Sequence, residues 1–145
     1  MYFQRLSDNV STEENDSPIH ETVMRIHRAT GVPIARCQQH LEHLPLAHLS
    51  KLFCAVSQQQ GRMFHDPLED DPALAAIIKQ VESEAEVLAV EEFEEFLRES
   101  GLPSGLTPGM GRCHHIWGIM QKLLRERHGI DWLTPAEMNP WVNID

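Results

Sequence analysis

Residues 71–100 read DPALAAIIKQVESEAEVLAVEEFEEFLRES, the longest stretch of the chain with a single hydrophobic period. Leu74, Ile77, Ile78, Val81, Ala85, Leu88, Ala89, Phe93, Phe96 and Leu97 recur at three- and four-residue intervals. That spacing puts them on one face of an α-helix. Asp71 suits the N-cap, because its carboxylate accepts from the unpaired N–H groups of the first turn. Pro72 suits the first helical position, where no N–H is needed. Ser100-Gly101 supplies the stop, since glycine adopts the left-handed C-cap conformation without strain. Such a helix spans roughly 42 Å at ~1.5 Å per residue. The rest of the chain is expected to pack on it.

The sequence on either side is also helical in pattern, and no segment reads as a strand. Residues 1–16 are polar after Leu6 and have no period, which predicts a disordered or loose arm. Ser17-Pro18 opens a helix with Ile19, Val23, Ile26 and Ala29 inward, stopped at Thr30-Gly31. Pro33 opens a second, with Ile34, Cys37, Leu41 and Leu44 inward, interrupted at Pro45. A third, about 46–60, turns Leu46, Leu49, Leu52, Phe53 and Val56 inward and ends at Gly61. Residues 62–71 form an acidic-ended loop. A loop with four glycines from Gly101 to Gly111 leads into a helix from about Arg112 to His128, with Ile116, Ile119, Met120, Leu123 and Leu124 inward. Thr134-Pro135-Ala136-Glu137 is a capping box that starts a short helix. Trp132, Trp141, Val142 and Ile144 are expected to fold back onto the core.

These elements predict an all-α fold of about five helices plus a short C-terminal one, around the long helix at about 72–99. The organisation expected is an arm at 1–16 and one helical domain at 17–145. Within that domain, 18–60 is an N-terminal subdomain and 112–145 a C-terminal helix and tail. At 145 residues one domain with a real core is the expectation. No run approaches the ~18 apolar residues that cross a bilayer, and no secretory leader pattern opens the chain. Three widely spaced cysteines, Cys37, Cys54 and Cys113, without a C-x-x-C pair, predict reduced thiols. A cytoplasmic location follows as an expectation.

Charge narrows the partners. The net charge is −10 with histidines neutral, which disfavours nucleic acid and anionic membranes. Residues 72–99 carry eight glutamates against Lys79 and Arg98, a net of −6. Residues 112–128 carry Arg112, Lys122, Arg125 and Arg127 against Glu126, a net of +3. Either the acidic helix lies among its own basic neighbours, or the region around Glu91, Glu92, Glu94 and Glu95 faces a basic partner.

Four constellations carry possible chemistry. In IHRATGVPIARCQQHL, residues 26–41, Ile26, Gly31, Val32, Cys37 and Leu41 stand at turn and core positions. This 16-residue stretch resembles the helix-turn-helix of bacterial DNA-binding regulators, with His27 where a small residue is usual. It is also similar to the three-helix ubiquitin-associated type of module, in which a Thr-Gly turn joins two short helices. The first resemblance implies that Arg36, Gln38 and Gln39 meet base edges. Cys37, His40, His43 and His48 form the second group. At ~100° per residue the first three spread around a helix and cannot converge on zinc, so no metal or cofactor is expected. The third is the Gly-rich entry to the helix at 112. Gly109 and Gly111 offer backbone N–H groups beside Arg112, His114 and His115, an arrangement suited to a small anion or carboxylate. It is not a phosphate-binding P-loop, because Arg112 replaces the lysine and an acidic helix precedes it. Cys113 and His114 point ~100° apart and make no nucleophile pair; Cys113 aligns with the buried side. The fourth is the glutamate cluster, whose default is a solvated face. Trp117 is either core or an interface anchor.

No catalytic set converges. The leading expectation is a non-enzymatic protein-interaction or regulatory protein. It would use the face at Glu91, Glu92, Glu94 and Glu95, or the region of residues 112–118 with Trp117. A DNA-binding regulator is the alternative and an anion or small-molecule site at loop 105–115 the third. Homo-oligomerisation stays open.

Overall fold

The computed structural model describes residues 18–106, 109 and 111–142. The expected arm at 1–16, the Ser17 cap, Ile144 and the loop positions Thr107, Pro108 and Met110 lie outside the described residues. Among those described, the chain is all-helical with no strand. The α-helices are α1 (Pro18–Thr30), α2 (Ile34–Glu42), α3 (Leu46–Gln58), α4 (Pro72–Glu99), α5 (Arg112–His128) and α6 (Pro135–Met138). One 3-10 turn covers Pro67–Asp70. Contacts divide the chain into two compact units. One runs to Phe64 and adds Met138–Trp141; the other is His65–Glu137 with the chain end from Val142.

In the first unit α1 packs on both α2 and α3. The α1–α2 turn is built locally. Gly31 takes φ +78°, the left-handed conformation that reverses the chain. The Thr30 hydroxyl donates to the Ile26 carbonyl at 2.7 Å and accepts the Val32 N–H at 3.2 Å. His27 Nδ1–H donates to the Val32 carbonyl at 2.8 Å, so this ring staples the turn where a small residue was anticipated. Pro33 and Pro45 occupy the N-cap positions of α2 and α3. Val23, Ile26, Cys37, Leu41, Leu52, Ala55 and Val56 are buried. The late segment joins this unit through Asn139. Its side-chain amide accepts from the Phe64 N–H and donates to the Phe64 carbonyl, both at 2.8 Å, and Trp141 meets the Phe64 ring edge-on.

Several residues expected inward here are exposed. Leu46 is 80% exposed, and Ile19, Ile34, Phe53 and Ala29 also face solvent. Leu46 and Phe53 lie ~100–120° around α3 from the buried Leu52, on a flank rather than on the inner line. Ile19 and Ile34 stand in the first turns of their helices, where side chains lean toward the N-terminus and no preceding turn of the helix lies beside them. α3 ends at Gln58, two residues before the expected stop.

In the second unit α4 and α5 form an antiparallel pair. Arg127 near the end of α5 bonds to Glu84, while His115 at its start bonds to Glu92. Ile78, Val81 and Ala85 of α4 pack with Met120 and Leu124 of α5 and with Trp132. Both ends of α4 follow from its sequence. Asp71 accepts the Ala73 N–H at 3.0 Å. Gly101 at φ +71° lets the Leu102 N–H reach the Leu97 carbonyl and its own N–H reach Arg98, a Schellman stop. Phe96, expected on the inner face, is exposed instead, as is Val142. Phe96 faces the open cleft between α4 and the start of α5, while Leu97 beside it is buried.

The segment after α5 is fixed by side chains of the preceding acidic loop. Fully buried Asp66 accepts the Leu68 N–H at 3.0 Å through one oxygen and the Leu133 N–H at 2.7 Å through the other. Trp132 Nε1–H donates to Glu69 at 3.2 Å. Burial pushes the Glu69 carboxyl above its ordinary range, opposed by the Trp132 bond and by His65. The capping box forms as its spacing requires. Glu137 N–H donates to the Thr134 hydroxyl at 3.1 Å, and Thr134 N–H to the Glu137 carboxylate at 3.2 Å. Among the described residues no helix is long and apolar enough to cross a membrane.

Candidate functional site

The start of α5 and the last three turns of α4 enclose a cleft of about 420 Å³. Ala89, Phe93 and Phe96 of α4 line it from one side. Phe93 and Phe96, one turn apart, stack with ring centroids 6.1 Å apart. Gly109, Gly111, Arg112 and His115 line the other side. Gly111 holds φ +89°, which sets the chain direction as it enters α5. Glu92 completes the rim, and His115 Nε2–H donates to its carboxylate at 2.8 Å across the mouth.

This one cleft joins residues that the sequence places in two separate groups. From the Gly-rich group it takes Gly109, Gly111, Arg112 and His115. From the acidic group it takes Glu92. His114 is left out, since it points along α5 to stand edge-on to Trp117, centroids 5.2 Å apart. Trp117 itself packs against the α4–α5 core. Cys113, next to His114 in sequence, is half-buried rather than fully buried.

The four glutamates do not act as one patch, because neighbours on a helix diverge by ~100°. Glu92 faces the cleft. Glu91 opens instead onto a shallow groove of about 460 Å³ with Ser83, Glu84, Val87, Leu88 and Arg127. Glu94 and Glu95 are exposed and line neither. Two acids of α4 do find basic partners on α5, Glu84 with Arg127 and Glu92 with His115. Glu86, Glu91, Glu94 and Glu95 make no ion pair among the described residues.

On α2, Arg36, Gln38 and Gln39 are all exposed, while Cys37 between them is buried and its thiol is pushed up to about 11 by that burial. The second group named from sequence, Cys37 with His40, His43 and His48, does not converge. Among the described residues no cluster of His, Cys, Asp and Glu is arranged to hold a metal ion.

Sequence reasoning placed Ala89, Phe93 and Phe96 on the inner face; Ala89 is buried there, while Phe93 is half-buried and Phe96 exposed, and that all three line a cleft was not read from the sequence. A signal existed in that aromatics at i and i+3 stand just before the helix stop and a glycine-rich loop. No protein-family model, curated protein or solved structure matches this chain.

Proposed function

We propose that this chain is a non-enzymatic, cytoplasmic protein-interaction module that receives an apolar side chain of a partner protein in the α4–α5 cleft. The observation that carries the reading is the stacked pair of half-buried Phe93 and exposed Phe96, opening into a cleft of about 420 Å³. Buried aromatic and aliphatic anchors in such pockets dominate interface energetics. The polar rim suits the backbone around the anchor. Arg112 and the N–H groups at the start of α5 donate to partner carbonyls, while Glu92 accepts. The free thiols of Cys37, Cys54 and Cys113 accord with a reducing compartment.

Titrating the isotopically labelled chain with short Leu-, Phe- or Trp-centred peptides tests this. The expected amide shifts concentrate on Ala89, Gly109, Gly111, Arg112 and His115 and disappear in Phe96→Ser. Shifts scattered over both units, or unchanged in that variant, would remove the cleft as the site.

A second reading rests on the exposure of Arg36, Gln38 and Gln39 around a buried Cys37, as a recognition helix requires. It predicts DNA retention that falls steeply with salt and weakens in Arg36→Ala. Retention equal in wild type and variant would exclude this role for α2.

A further inference from the structure

α3 carries a second apolar line besides the one it buries. At ~100° per residue, Leu46, Leu49 and Phe53 fall within ~60° of one another around the helix. Their centre lies ~100° from that of the buried Leu52, Ala55 and Val56. Leu46 is 80% exposed and Phe53 40%, with half-buried Leu49 between them. Ser50 and Ser57 stand beside this line. The Ser57 hydroxyl donates to the Phe53 carbonyl at 2.8 Å, so covering it strands no donor. Charge is absent from the face. Among the described helices α3 alone has no Asp or Glu. Its Lys51 and His48 stand ~140–160° around the helix from Leu46. None of these residues lines the α4–α5 cleft.

We infer that this face is a homodimer contact, in which α3 packs antiparallel on the α3 of a second copy of the chain. Charge selects the occupant. Copies of a protein of net charge −10 repel each other through acidic surfaces, whereas on α3 a second copy meets no carboxylate of the opposing helix. A strongly acidic or basic partner finds no counter-charge there. The face is also self-complementary. A two-fold axis passing between Leu49 and Ser50 sets each Leu46 against the Phe53 of the other copy, and each Leu49 against a Ser50, large against small. α3 spans about 20 Å, so the contact is at the small end of interface sizes and is half formed only at about 0.1 mM chain.

Sedimentation equilibrium of the whole chain, with its thiols reduced and loaded from about 0.01 to 2 mM, tests this. The expected result is a reversible monomer–dimer equilibrium. It tightens by up to about threefold between about 0.05 and 1 M salt, because screening relieves the repulsion between acidic copies. Leu46→Glu and Phe53→Lys each weaken the dimer about tenfold or more, since each leaves a charge in an apolar contact. Thermal melts check that both variants fold, and Leu46→Ser and Phe53→Ser serve if a charged variant melts early. Mixing Leu46→Glu with Phe53→Lys restores a dimer, because antiparallel pairing brings the two substituted positions together. A chain that stays monomeric over the whole range overturns the dimer and gives the face to a different protein. A dimer that survives both substitutions, or that salt dissociates, places the contact elsewhere and overturns the role of α3. Monomeric variants that do not recombine overturn the antiparallel pairing.

Discussion

The two halves of α4 share one hydrophobic period and have different fates. In the first half, Ile78, Val81 and Ala85 are buried against Met120, Leu124 and Trp132. In the second half Ala89 and Leu97 are buried too, but Phe96 on the same period is exposed, Val87 and Val90 off that period face solvent, and four nearby glutamates have no ion pair among the described residues. The cause is length. α4 has 28 residues and α5 only 17, and α5 enters the pair opposite Glu92. The last turns of α4 therefore have a helical partner on fewer sides. The first half is buried along its inner line, while the second buries Ala89 and Leu97 but leaves Phe96 open to the cleft.

That contrast breaks most visibly through paired substitutions. Leu124→Ala removes a fully buried side chain from the first-half core and should cost about 2–5 kcal/mol in urea unfolding. Phe96→Ala should stay within about 0.5 kcal/mol, as exposed positions do. A comparable loss from Phe96→Ala would show that the second half is packed after all.

Asp66→Ala is the next largest effect. It strips the acceptor from the Leu133 and Leu68 N–H groups and should cost about 1–3 kcal/mol. Amide exchange sharpens the reading further, with residues of α4 near Val81 and Ala85 expected to exchange far more slowly than those near Glu95. Uniform protection along α4 would contradict the division.

The smallest effect is a pH dependence. Folding raises the Glu69 pKa, so the unfolded chain ionises first as pH rises. Stability is therefore fully present below the unfolded value of about 4.3 and is lost as pH rises through the folded value. Glu69→Gln keeps an acceptor for Trp132 and removes that loss. Its Tm should match wild type at about pH 4 and exceed it modestly at pH 7. A gap that widens toward acid would mean the carboxylate is stabilising, and the burial argument would fail.

Elements whose physics is local were legible in the sequence. Asp71-Pro72 and Ser100-Gly101 bound α4 because caps are satisfied by the nearest residues. Thr134 and Glu137 close their own box. Residues whose role depends on what lies opposite were misplaced. Leu46, Phe53 and Phe96 fit an apolar period, yet a period says only which residues share a face, not whether anything covers it. His27 carried the opposite surprise, since a residue out of pattern turned out to staple the turn.

The candidate site divides the same way. Gly111, Arg112 and His115 stood out as a glycine-led helix entry, while Phe93 and Phe96 were hidden within the helix period. The sequence by itself determined the helices, their stops, the acidic bias of α4 and the basic bias of α5, because propensity, capping and net charge are sums over near neighbours. Only the tertiary structure decided that His115 meets Glu92, that Asp66 holds Leu133, and that the end of α4 is left open. Those outcomes depend on distances between residues far apart in the chain, and these are fixed by packing.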